Sequence, residues 1–224
     1  MEKLSIKNLI DFRRKSPRGQ QTLIKNLKFQ QKSDSEGGGD YWVRSISALG
    51  NTFRENDNQL IKDKIDHLSS DHSATAHRTT KLMYERNINI LQNYEDFDFD
   101  EWKPSKDLRF LPKPKTRSIL NINGLPIQVL PTHVFAFDDD KGPRLGGIWF
   151  VAKLDGLTRE ELGMYADALH RYLCEHYSEE YTIDPNYCLT VDVLNLKEAK
   201  YSQILKGEIP ALLASTIDSI KSSL

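Results

Sequence analysis

Cysteine is nearly absent: Cys174 and Cys188 are the two thiols in 224 residues. They form no C-x-x-C arrangement, and two cysteines cannot build a zinc ribbon, so a structural metal is not expected. Long apolar runs are missing as well. Nothing approaches the roughly 18 consecutive apolar residues of a membrane span, and the start, Met1-Glu-Lys-Leu-Ser-Ile-Lys7, has no apolar h-region. These absences predict a soluble cytoplasmic protein with reduced thiols and no membrane partner. Catalytic signatures are also wanting. Gly37–Gly39 have the composition of a hinge but sit in no G-x-x-x-x-G-K-[ST] or G-x-G-x-x-G context, and no serine elbow or familiar Cys/His spacing is visible. What remains is a chain with 38% hydrophobic residues, long enough for one substantial core or a core plus a helical extension.

The net charge of −1 conceals an asymmetry. Residues 1–32 hold nine Lys/Arg against Glu2 and Asp11, a local +7, which leaves −8 for the rest. Arg13, Arg14, Lys15, Arg18, Lys25 and Lys28 are therefore the candidate nucleic-acid contacts, because a basic segment can follow a phosphate backbone and release its counterions. The same segment could equally dock on the acidic remainder of its own chain or on an acidic protein partner.

The first hundred residues read as helical. Ser5 caps a short helix carrying Ile6, Leu9, Ile10 and Phe12, and Ser16-Pro17 opens a second with Leu23, Ile24 and Leu27. Asp40 is placed to cap 41–54, Asn56-Asp57-Asn58 to break it, and Leu60, Ile61, Ile65 and Leu68 to face one side of the next helix. A further helix over 75–95 shows Tyr84, Ile88, Leu91 and Tyr94 on one face. Glu95 to Trp102 alternates acids with aromatics, as in a strand edge or an extended acidic connector.

Beyond residue 100 the pattern turns to strands. Ile119–Ile122 precedes Asn123-Gly124, a dipeptide suited to a type I′ hairpin. Leu125–Phe137 reads as one longer strand bent or placed at an edge by Pro131, and Gly146–Leu154 as a strand buried on both faces. Thr158-Arg-Glu-Glu161 is a capping box opening an amphipathic helix with Leu162, Tyr165, Ala166, Leu169, Tyr172 and Leu173. Asp184-Pro185-Asn186 is expected to end the connection before a buried strand at 187–194, parallel to its neighbour. A last helix carries Pro210 in its first turn and Leu213, Ile217, Ile220 and Leu224 on one face. The expected class is α/β (α+β): a mixed sheet with an αβββαβ core over 101–224 that begins with the helix at 75–95, and a helical region over 1–100, basic at its start.

That order of elements resembles the core of the PD-(D/E)XK nuclease superfamily. The resemblance implies hydrolysis of phosphodiesters with magnesium held by carboxylates, from an acid on the first helix, an Asp on the second strand and an E-x-K on the third. By position the lysine falls on Lys153 and the helix acid on Glu85, while the second-strand Pro-Asp falls on Pro131-Thr132-His133, where the aspartate is missing unless the register shifts to Asp138. Val151 stands where the motif glutamate belongs, and valine offers a hard cation nothing. Glu85, His133 and Lys153 are thus the candidate catalytic residues of an incomplete site, with no cofactor expected unless the site is active, when magnesium would be.

Other constellations have plainer readings. His67, His72 and His77 recur every five residues, a rotation of about 140° on a helix, which scatters them. Asp138–Asp140 beside Lys141-Gly142-Pro143 suit a charged turn. Three functions follow: a nucleic-acid-associated accessory protein, binding DNA or RNA, with a nuclease-like but catalytically incomplete domain; a non-enzymatic subunit that docks a protein partner through its amino-terminal helices; and an active metal-dependent nuclease.

Overall fold

The computed structural model describes residues 3–28, 41–105, 107–112 and 118–224. The expectations for Gly37–Gly39 and for Asp40 as a cap lie outside them. In chain order the elements are β1 (Leu4–Ser5), α1 (Ile6–Arg14), α2 (Pro17–Lys28), α3 (Val43–Glu55), α4 (Gln59–Ala74), α5 (Arg78–Gln92), β2 (Arg109–Leu111), β3 (Ile119–Ile122), β4 (Leu125–Gln128), β5 (His133–Asp139), β6 (Gly142–Val151), α6 (Arg159–Tyr177), β7 (Thr182–Asp192), β8 (Lys197–Lys200), α7 (Tyr201–Leu205) and α8 (Leu212–Ser222). The fold is α/β (α+β), as expected. Among the described residues no helix is long and apolar enough to cross a membrane.

A five-stranded mixed sheet, ordered β2-β5-β6-β7-β8, forms the centre. Only β6 and β7 pair in parallel, joined through α6; the other neighbours are antiparallel. Alternation along β5 explains why its middle, Val134–Phe137, is apolar at every position. Val134 and Ala136 enter one core while Phe135 and Phe137 enter the other. The helices of the first hundred residues divide between these cores. Ile6, Leu9, Ile10 and Phe12 of α1 and Ile24 and Leu27 of α2 pack in the layer of α6 and α8. Leu49 and Phe53 of α3, Ile61 and Leu68 of α4, and Ile90 and Leu91 of α5 pack on the opposite face.

Local signals translate directly into geometry. Asn123 and Gly124 both have positive φ, 50° and 82°, which is what a type I′ turn demands, and β3 and β4 pair across it. The Thr158 hydroxyl accepts from the Glu161 N–H at 3.3 Å, and the Glu161 carboxylate accepts from the Thr158 N–H at 2.9 Å. Ser5 caps α1 in the same reciprocal way with Asn8.

Four expectations are corrected. Leu125–Phe137 is not one strand: β4 lies in a separate three-stranded sheet, β1-β4-β3, and β5 in the central one. Pro131 has no N–H to extend a ladder, so the chain leaves one sheet after Val129 donates to Ser118 and enters the other where Thr132 donates to Ile148. Asp184-Pro185-Asn186 does not precede the last strand but lies within β7. There the register against β6 jumps from Leu145↔Ile183 to Gly147↔Cys188, and Asp184 accepts from Arg144 and from the Asn186 N–H. Glu95–Trp102 is neither a strand edge nor an extended connector. It closes in a 3-10 turn, Phe99–Trp102, that drives Phe99 and Trp102 inward against Tyr94 while Asp98 caps the Asp100 N–H. At the chain's end α8 starts after Pro210, and Leu224 lies beyond it, exposed.

Candidate functional site

The three side chains expected at a nuclease-like centre are each held by a different neighbour. Glu85, on α5, accepts from or pairs with His72 Nε2 of α4 at 3.0 Å. His133, at the start of β5, lies 2.8 Å through Nε2 from the Gly50 carbonyl of α3 and stacks on Phe53. Lys153, just past β6, pairs with Asp11 of α1 at 3.1 Å and with Asp155 at 3.6 Å. The groove that His133 lines includes neither Glu85 nor Lys153. Asp138 pairs opposite Pro143, at the far end of β5 from His133. Among the described residues no three His, Cys, Asp or Glu side chains gather as ligands for a metal ion.

Other histidines and acids that stood out in the sequence bond within the chain. His67 faces Asp71 one turn on, whereas His72 turns to α5, so the five-residue spacing scatters them as helix geometry requires. Asp139 accepts from the Lys141 N–H and pairs with Arg144 in an exposed turn. Cys174 lies 3.6 Å from His170 Nε2, and the imidazole stacks on Tyr201 at 3.8 Å. Burial pushes that thiol up and, outweighing Asp167, that imidazole down. Both groups are driven toward their neutral forms, the opposite of a thiolate-imidazolium nucleophile.

The basic candidates divide in two. Arg14 donates to both Glu161 carboxylate oxygens and, at 2.7 Å, to the Gly156 carbonyl, which fastens α1 to the start of α6. Arg13 donates to the Thr216 hydroxyl of α8 at 3.1 Å, and Lys28 to the Leu224 carbonyl. Lys15, Arg18 and Lys25 point outward from α2 and the turn before it, and none forms an ion pair among the described residues. Between residues 12 and 33 the sequence has no Asp or Glu at all. A hollow of about 430 Å³ runs along this face, lined by Lys15, Ser16, Arg18, Thr22 and Asn26. Lys15 and Arg18 supply its cations and Asn26 an amide, groups of the kind that hold phosphate oxygens, while the Thr22 hydroxyl donates to the Arg18 carbonyl at 3.0 Å.

A second concavity was not legible in the sequence. Between α3 and the β4–β5 crossover lies a groove of about 590 Å³ with Trp42, Ile46, Trp149 and Phe150 among its walls. Its floor depends on Gly50: a Cβ there would come within 2.9 Å of Thr132 Cγ2 and 3.3 Å of His133 Nε2. Leu130, beside Pro131, was the available clue, an apolar residue stranded where the chain changes sheets. No family model, no curated protein and no solved structure matches this chain.

Proposed function

We propose that the chain is a nucleic-acid-associated accessory protein whose nuclease-like part is non-catalytic and whose contact surface is the outward face of α2. The observation that carries this reading is the carboxylate-free row of Lys15, Arg18 and Lys25, exposed and without an ion pair among the described residues, whereas Arg13, Arg14 and Lys28, exposed as well, each donate to a group of their own chain. A row of cations without interspersed acids is unusual on a chain whose remainder is −8, and it suits a polyanion in which charges repeat along a line. Support for the non-catalytic half comes from Val151 at the motif glutamate and from Lys153 being neutralised by Asp11. The row carries no aromatic side chain for base stacking, so backbone contact with little sequence preference is expected.

Fluorescence anisotropy of labelled duplex DNA and RNA over a salt series tests this. Three phosphate contacts, one each for Lys15, Arg18 and Lys25, predict a loss of about fortyfold in affinity between about 50 and 200 mM salt. Reversing Lys15, Arg18 and Lys25 together to Glu should reduce the steepness of log K against log salt by about one for each contact removed. Affinity that is missing at low salt, or flat with salt, rules the reading out.

A further inference from the structure

We infer that the groove between α3 and the β4–β5 crossover is a docking site for an acidic amphipathic segment of a protein partner, separate from the α2 face. Its apolar surface does not stop at the cleft. Val43 and Leu130, on the rim, are 46% and 52% exposed, so the water-facing apolar surface continues outward, as at a protein interface. Adjoining it is a second hollow, of about 330 Å³, which shares Val43, Ser47 and Asn51 with the groove and is bordered by Arg44 and Lys64. No Asp or Glu lines either concavity. Neither Arg44 nor Lys64 has a carboxylate within ion-pair distance among the described residues; Arg44 rests over the Tyr84 ring and donates to the Met83 sulfur. An apolar trough flanked by two unneutralised cations is complementary to a helix with large apolar side chains on one face and carboxylates on the next.

The same charges argue against other occupants. A second copy of this chain docking through a two-fold axis over the two concavities would bring four cations into one interface, and neither concavity supplies a carboxylate to pair them. Single-stranded nucleic acid would need ring faces open to water, whereas Phe150 is buried and packs on Trp102, Trp149 and Trp42 are half-buried and meet Tyr165 and Tyr41 edge-on, and the exposed apolar side chains of the rim, Val43 and Leu130, are aliphatic. A small polar ligand would require converging charged or hydrogen-bonding groups inside the groove, and its polar walls are Ser47, Asn51, Thr132 and a His133 already bonded to Gly50.

The test uses the full chain and two fluorescein-labelled synthetic helices, one with Leu and Phe on one face and Glu on the other, its twin with Lys in place of every Glu. Anisotropy is expected to show saturable binding of the Glu helix and at least about tenfold weaker binding of the Lys twin. Leu130→Glu should weaken the Glu helix about tenfold, and Arg44→Glu with Lys64→Glu should reverse the preference between the twins. The side chains changed are on the surface, and the charge-swap arm decides the matter even if Leu130→Glu fails to fold. Reversal of Lys15, Arg18 and Lys25 on α2 should leave peptide binding unchanged. No binding of the Glu helix, equal binding of the twins, displacement of the helix by a single-stranded oligonucleotide, or a dimer abolished by Leu130→Glu would each overturn the assignment.

Discussion

Phe53→Ala is expected to lower the free energy of unfolding by about 3–5 kcal/mol and the melting temperature by about 10 °C. The ring is fully buried and is the point at which α3 is keyed into the central sheet. It meets Phe135 at 5.8 Å, Phe110 edge-on at 6.0 Å, His133 stacked at 6.1 Å and Phe150 edge-on at 6.3 Å, and Lys103 Nζ lies 5.2 Å from its centroid. Those neighbours come from three strands and one connection, so no single side chain can collapse into the space that an alanine leaves. The cavity cost is then added almost in full to the lost transfer free energy. Val43→Ala, on the same helix but 46% exposed, should stay within about 0.5 kcal/mol. Urea unfolding of both variants, with unchanged m-values, checks the contrast. A loss below about 1 kcal/mol for Phe53→Ala would mean that α3 is not seated on the sheet as described.

What could be read from the sequence was local, and what could not was set by distant partners. Asn123-Gly124 announces its turn because both residues tolerate positive φ, and Thr158 with Glu161 announces a helix start because three residues separate donor from acceptor. The parallel β6–β7 pair followed from a helix between two apolar runs. By contrast, two residues, Leu4 and Ser5, form a strand only because Ile127 and Gln128 lie alongside, more than a hundred positions away. Nothing in Leu4-Ser5 itself carries that pairing. Pro131 was legible as a bend, but not as the point at which one apolar run is divided between two sheets. The site follows the same rule. Arg13 and Arg14 were visible as charges, while the Thr216 and Glu161 that occupy them were not, so the sequence overstated how much of the basic segment is left unpaired. Glu161 was legible as a capping glutamate alone.

That second duty of Glu161 carries the other large effect. Arg14→Met should cost about 2–3 kcal/mol at neutral pH, since charge-assisted hydrogen bonds are lost and the carboxylate they served stays largely buried. The Glu161 side chain is 9% exposed and that of Arg14 31%, so water can replace the guanidinium only in part, which keeps the cost below that of a fully buried pair. Burial alone would raise the Glu161 pKa, but hydrogen bonds from Arg14 and from the Thr158 N–H outweigh it and hold the carboxyl below its ordinary value. A carboxyl lowered on folding contributes stability at pH values above its unfolded pKa, near about 4.3, and loses that contribution as pH falls through the folded value. The gap between wild type and Arg14→Met should therefore be full at neutral pH and shrink as acid protonates Glu161. Glu161→Gln keeps a side chain able to cap the helix while removing the charge, so in the Arg14/Glu161 double-mutant cycle the coupling isolates the ion pair from the cap, at about 1–3 kcal/mol. Denaturant unfolding across the acid range measures both quantities, and a gap that stays constant down to the acid limit would show that α1 is fastened to α6 by packing and not by this pair.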